Sequence, residues 1–197
     1  LGALLTSLVF SAFLGVHIAA VILLGTLLLA TLLLARKKIY ILSAFVVAAS
    51  FILSVFVNSS HVMSYYNIVA NNAYHTIKII QNPLRRYFMM NNQHMSAYVP
   101  KTGKRYAYVE YIEKHYIERL PAQMRPADIL VIGAGGFTIG LKDKVNNYTF
   151  VDIDGDLKKV SEEHFLKQKL GENKEFVAMP VRRFLAQTNN KYNLVLL

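Results

Sequence analysis

Cysteine is absent from the 197 residues, which excludes disulfides, thiolate metal sites and cysteine nucleophiles and leaves the redox compartment unreadable. Acidic residues are absent from the first 58 positions, where the only bases are Arg36, Lys37 and Lys38. All 12 acids come later, and the whole chain carries a formal net charge of +10. The six histidines stand at no spacing, with acids or with each other, that suits a metal ion, so no metal is expected. The bases are scattered and no aromatic platform is interleaved with them, which argues against nucleic acid despite the basicity.

What the chain has in excess is apolar side chains, 54% of all residues against 17% charged. The excess lies in 1–58: positions 1–35 are apolar almost without a break, and 39–57 repeat the pattern after Arg36-Lys37-Lys38. A helix crossing a hydrocarbon core needs about 20 residues. The pattern therefore predicts the end of one span up to Gly15, a span over 15–35 and another over 39–57. The alternative is a very apolar hairpin buried in a soluble protein. The transmembrane reading implies an integral membrane protein, with membrane lipid as a partner and anionic headgroups as the use of the excess base. Ser50 and Ser54 share a helix face suited to helix packing. Sidedness has two conflicting signals. The positive-inside rule puts Arg36-Lys37-Lys38 in the cytoplasm and the C-terminal part outside, whereas a nucleoside-using enzyme belongs in the cytoplasm. A start at Leu1 and a stop inside an apolar run at Leu197 lead to the expectation that both ends are cut.

Beyond residue 58 the pattern changes. Segments 74–80, 86–90 and 94–99 read as strands separated by Pro83 and Asn91-Asn92. The run 106–120 lacks Gly and Pro until Pro121 and repeats its apolar residues at helical spacing. Alternation then follows: strand 129–132, helix 137–144, strand 148–152, helix 156–170, strand 175–179, helix 181–187 and strand 192–197. Such alternation predicts a parallel sheet with crossover helices. The expected fold class is α/β: N-terminal transmembrane helices over 1–58, a small β domain over 59–102, and a Rossmann-like parallel sheet over 103–197.

The chemistry-bearing stretch is Asp128-Ile-Leu-Val-Ile-Gly-Ala-Gly-Gly-Phe-Thr-Ile-Gly140, followed by Tyr148-Thr-Phe-Val-Asp-Ile-Asp154. Gly133 and Gly135 let the backbone turn and approach a ligand. Asp152 follows at about the 20-residue offset at which an acid accepts hydrogen bonds from ribose hydroxyls. A parallel-sheet domain that keeps its turn glycines without a ligand is the competing reading. Thr138 stands at the third glycine position of the dinucleotide motif, so a dinucleotide is the least favoured nucleoside ligand. Asp154 is expected to cap the next helix, and Arg182-Arg183 to form a solvated face.

These blocks, with Tyr108-Val-Glu110 before them and Phe184-Leu185 and Tyr192-Asn-Leu-Val-Leu-Leu197 after them, resemble the N-terminal two-thirds of a spermidine synthase over 74–197. That family also includes membrane-anchored members. The resemblance implies a Rossmann-like sheet of the S-adenosylmethionine-dependent transferase type. It also implies decarboxylated S-adenosylmethionine as the donor nucleoside and a polyamine as acceptor. By resemblance, Gly133, Gly135 and Asp152 hold the nucleoside, while Tyr108, Glu110 and Gln93 serve the amine pocket, with Met95 at the ungapped position of the family glutamine. The catalytic acid is expected after Leu197. Gly136, Val109 and Pro180 replace a family Asp, His and Asp, and restoring an acid by Gly136→Asp is expected to raise transfer. The other functions compatible with the blocks are a non-catalytic accessory or assembly subunit, with a membrane-protein partner or a second copy of itself, and another S-adenosylmethionine-dependent transferase.

Overall fold

The computed structural model describes residues 11–34 and 38–197, with side chains over 18–33 and 41–197. The expected span end before Gly15 falls largely outside the described residues, as do Arg36 and Lys37. Two compact units divide at Tyr74/His75.

In the first unit, helices α1 (Ser11–Leu34) and α2 (Lys38–Val57) pack on one another, followed by the short helix α3 (Ser60–Tyr65) and strand β1 (Ile68–Asn71). Unbroken apolar sequence without proline supplies the helical propensity. A Cβ built at Gly25 would lie 3.4 Å from the Phe51 ring, an ordinary contact, so the helix pair leaves room there for a small side chain. The Ser50 hydroxyl donates to the Val46 carbonyl of its own helix at 2.9 Å, so it turns inward on its helix and does not bridge to a neighbour. The transmembrane expectation is corrected here. Among the described residues no helix is long and apolar enough to cross a membrane. The transmembrane part of the expected fold class and the integral-membrane localisation drawn from it fall with that finding.

The second unit is mixed α/β. Strands β2 (Thr76–Gln81), β3 (Arg86–Met90) and β4 (Gln93–Tyr98) form an antiparallel meander, with Ile77 opposite Met90 and Phe88 opposite Ser96. The β3–β4 turn places Asn91 and Asn92 at φ 49° and 66°, the pair of left-handed residues that a two-residue hairpin requires and that asparagine tolerates. Helix α4 (Ala107–Ile112) continues into a π-helical turn, Glu113–Ile117.

The parallel sheet comprises β5 (Asp128–Ile132), β6 (Asn147–Asp152), β7 (Lys174–Ala178) and β8 (Leu194–Leu196), in the spatial order β7-β6-β5-β8. The first strand thus lies inside the sheet with its successors on both sides. This arrangement creates a topological switch point at the carboxyl end of β5, where open α/β sheets hold ligands. Leu130, Val151 and Phe184 of helix α6 (Val181–Gln187) form one buried cluster. Phe137 fits between Phe150 and Phe176, at ring-centroid distances of 5.0 and 5.3 Å.

Two crossover helices differ from expectation. Residues 137–144 form turns, not a helix. Phe137 at φ 55° and Gly140 at φ 63° break any helical path, and Phe137 is committed to the core with no exposure at all. The expected helix 156–170 is shorter: α5 (Leu157–Val160) runs into a π turn, Ser161–Phe165, and Lys167 at φ 56° ends it.

Candidate functional site

Strand β5 delivers the chain to Gly133, whose φ of 88° lies in the left-handed region and whose N–H donates to the Val151 carbonyl at 2.9 Å. A Cβ built there meets nothing within 4 Å, so this backbone face is open. Strand β6 ends beside it at Asp152. One oxygen of that carboxylate accepts from the Ala134 N–H at 2.9 Å, and the other from the Asp154 N–H at 3.2 Å. The carboxyl group is therefore locked in orientation between the glycine loop and its own turn. Each oxygen keeps a second lone pair, enough to accept two neighbouring hydroxyls.

Two hollows meet here. One of about 240 Å³ is lined by Met90, Met95, Ser96, Tyr108, Gly135, Thr138 and Ile139, together with Gly133 and Asp152. The other, about 320 Å³, is lined by Ile132, Val151, Ile153, Pro180 and Val181, again with Gly133 and Asp152. Neither is the largest on the unit. A hollow of about 470 Å³ bounded by Asp128, Asn147, Glu172 and Asn190 lies at the amino ends of β5 and β6, the end of a parallel sheet that ligands avoid.

The structure brings Gly133, Gly135, Asp152 and Tyr108 together around these hollows. Tyr108 is half exposed, its hydroxyl donates to the Met95 carbonyl at 3.2 Å, and burial pushes the phenol above its usual range, so it remains a donor at neutral pH. Glu110 and Gln93 line neither hollow. Glu110 is exposed at the start of α4, where it accepts from the Arg105 N–H at 3.4 Å. Gln93 is exposed beside the Asn91-Asn92 turn, and Met95, two residues on, takes the place at the hollow. Asp154 is almost fully buried; it accepts from the Asp156 N–H at 3.1 Å and from His75 Nδ1 at 2.9 Å. It holds the turn after β6. Arg182 and Arg183 are exposed.

Sequence reading passed over the groups that hold the glycine loop. Ser96 accepts from the Gly136 N–H and Ser161 donates to the Gly136 carbonyl, both at 3.0 Å. Glu113 accepts from the Gly140 N–H at 2.8 Å and forms a forked pair with Arg105, whose side chain is 7% exposed. Ser161 and Glu113 stand among other polar residues, in Ser161-Glu-Glu-His164 and Glu113-Lys-His115, so nothing in the sequence set them apart. The expected benefit of Gly136→Asp is corrected: a Cβ at Gly136 would lie 2.6 Å from the Phe165 ring and 2.9 Å from Ser96 Cβ, leaving no room for a carboxylate.

A second network lies on the far side of the loop. Asp143 accepts from the Tyr148 hydroxyl, the Val145 N–H and the Asn146 side chain. Burial alone would raise its pKa, but these donors outweigh burial and hold the carboxyl below its usual range. The Tyr148 phenol is pushed far upward by burial and by the Asp143 charge. Lys174, 5% exposed, donates to the Asp143 carbonyl and to Asn173, and burial lowers its pKa. Among the described residues no group of three or more His, Asp or Glu side chains is placed to hold a metal ion. In comparison with known proteins, no family model and no curated sequence matches the chain.

Proposed function

We propose that the second unit binds an adenosyl nucleoside astride Gly133 and Asp152 and acts as an aminopropyltransferase of the spermidine synthase type. The observation that carries the nucleoside reading is the meeting of two hollows at one bare backbone face and one oriented carboxylate. A ribose over Gly133 would place its two hydroxyls on Asp152. The base would then extend toward Ile153 and Val181, and the sulfur-bearing arm toward Met95 and Tyr108. A dinucleotide fits less well, because no helix begins at the glycine loop to offer its N-terminus to a pyrophosphate.

In the transfer, the amine lone pair attacks the methylene beside the sulfonium of decarboxylated S-adenosylmethionine. The carbon–sulfur bond breaks, sulfur keeps the electron pair as the thioether of methylthioadenosine, and the new ammonium releases one proton. The work of such a site is positioning and keeping the attacking amine unprotonated. The Tyr108 hydroxyl, held on the Met95 carbonyl, fixes the wall past which the amine approaches.

One observation favours a second reading, a non-catalytic accessory protein on the same fold. Asp152 is the sole carboxylate lining either hollow, and a sulfonium with a polyamine would draw in more acid. Calorimetry with methylthioadenosine, paired with conversion of putrescine to spermidine by the same protein, separates the two. Binding with turnover is the expected result. Binding without turnover favours the accessory reading, and no binding refutes the transferase and favours a fold that keeps its turn glycines without a ligand.

A further inference from the structure

Helix α2 has two opposite faces, and only one of them is spent on its neighbour. Phe51 stands beside Gly25 of α1, and Ala44, two turns earlier on the same side, is 7% exposed. The reverse side carries Phe45, Ala48, Ala49, Ile52, Leu53 and Phe56, which line a groove of about 430 Å³. Their spacing is that of one helix face, about 16 Å long at the α-helical rise. The four large side chains are 71%, 66%, 61% and 59% exposed in chain order, so this face stands open among the described residues.

Charge and shape together limit what covers it. No acid or base occurs from position 39 to 57, so a charged partner would lose hydration there and gain no counter-ion. The order of side-chain sizes is more selective. About a point midway between Ser50 and Phe51, Ala48 mirrors Leu53, Ala49 mirrors Ile52, and Phe45 mirrors Phe56. A two-fold axis through that point lays a second α2 antiparallel on the first. Each alanine of one helix then faces a branched side chain of the other, and a pair of phenylalanines closes either end. Large side chains entering the space left by small ones fill such a contact, and residue i meets j while j meets i, as an isologous contact requires. A parallel pair would set alanine against alanine and leave a void between colliding rings. We propose that this face of α2 is the contact between two copies of the chain, paired antiparallel about the Ser50–Phe51 midpoint.

The absence of cysteine makes the chain its own background for a disulfide test. Full-length Ala49→Cys and Ile52→Cys chains, distinguished by a mass tag, are mixed and oxidised. The mixed dimer is expected in about fivefold excess or more over the two like dimers together, because only opposed Cβ atoms meet disulfide geometry. Like dimers in excess would show a parallel pair and overturn the proposal. Equal amounts of mixed and like dimers, as random collision gives, or no crosslink at all, would overturn it too. The second test exchanges sizes. Ala48→Leu puts leucine against Leu53 of the second copy and should shift the chain to monomer in light scattering, while adding Leu53→Ala should restore the dimer, with equal helix content by circular dichroism throughout. A dimer unmoved by the first change, or not restored by the second, overturns the size matching on which the pairing rests. A monomeric parent that instead partitions onto phosphatidylcholine vesicles assigns the face to lipid and overturns the proposal as well.

Discussion

Gly136→Ala tests the seat of the glycine loop with the smallest possible perturbation. Its new methyl carbon would sit 2.6 and 3.0 Å from two Phe165 ring atoms and 2.9 Å from Ser96 Cβ, against the 3.5–4.0 Å or so at which carbon atoms rest. One side must retreat by about an ångström, and neither has space. Phe165 has no exposure and is wedged against Phe88 and Tyr98 at centroid distances of 5.4 and 6.3 Å. Ser96 is pinned by its hydrogen bond to the same glycine. Overpacking of this kind costs about 1–3 kcal/mol, and loosening the Ser96 and Ser161 bonds adds about 0.5–1.5 kcal/mol each. The expected loss is therefore about 2–6 kcal/mol. The control is Gly133→Ala, which meets no atom but forces an alanine to φ 88°; it is expected to cost only about 1–2 kcal/mol. The chain lacks tryptophan, so urea unfolding is followed through tyrosine fluorescence, with methylthioadenosine affinity measured on the folded fraction. Gly136→Ala should fall by about 1 M or more in urea midpoint while its folded fraction still binds. Gly133→Ala should remain folded and lose binding. Equal stability of Gly136→Ala and parent would refute the packing argument, and parental affinity in Gly133→Ala would remove the ribose from that face.

Asp152→Asn should weaken methylthioadenosine binding by about 1–3 kcal/mol, the range for a charged hydrogen bond; unchanged affinity in calorimetry would take Asp152 out of the site. Asp143→Asn should destabilise the second unit by about 1.5–3 kcal/mol, because Tyr148 loses a charged acceptor inside the fold. Since folding depresses the Asp143 pKa, its contribution is present above the ordinary carboxylate pKa and is lost as pH falls through the folded value. Acid unfolding should therefore begin at higher pH in the parent than a flat profile would allow, and the Asn variant should lack that step. Lys174 works in the opposite direction. Its folded pKa lies below the usual 10.5, so the unfolded chain holds the proton more tightly and stability rises with pH across that window; Lys174→Met should flatten the rise in alkaline urea titrations.

Local signals made much of the parallel sheet legible. The apolar runs of β5, β6 and β7 and the glycine–acid offset have their meaning within a few residues, so the strands fall within two residues of expectation. The antiparallel meander was readable for the same reason, through Asn91-Asn92 and Pro83. The crossovers failed where a distant partner overrode local propensity. Residues 137–144 carry no helix breaker until Gly140, yet the demand of Phe150 and Phe176 for the Phe137 ring turns the chain away from a helix. Of the six residues named in advance, Gly133, Gly135, Asp152 and Tyr108 line the cleft. Glu110 and Gln93 do not, because each was placed by alignment to a pattern and not by what its own strand or helix face requires. The apolar N-terminal runs predicted helices, and helices formed; their length as spans was an inference about solvent, which periodicity does not encode.

The glycine loop has consequences for the order of assembly. Its amides at 134, 136 and 140 end on Asp152, Ser96 and Glu113, three acceptors drawn from a later strand, an earlier hairpin and a π turn. No contiguous fragment contains a helix to hold the loop in their place. Long-range closure must therefore precede it, and the entropy of closing those loops falls before any of these bonds is made. The loop is therefore expected to open more readily than the sheet beneath it. Amide exchange at Gly136 and Gly140 should report subglobal opening at a free energy below that of the β5–β6 ladder, so that the binding surface can dissolve while the sheet beneath it remains intact.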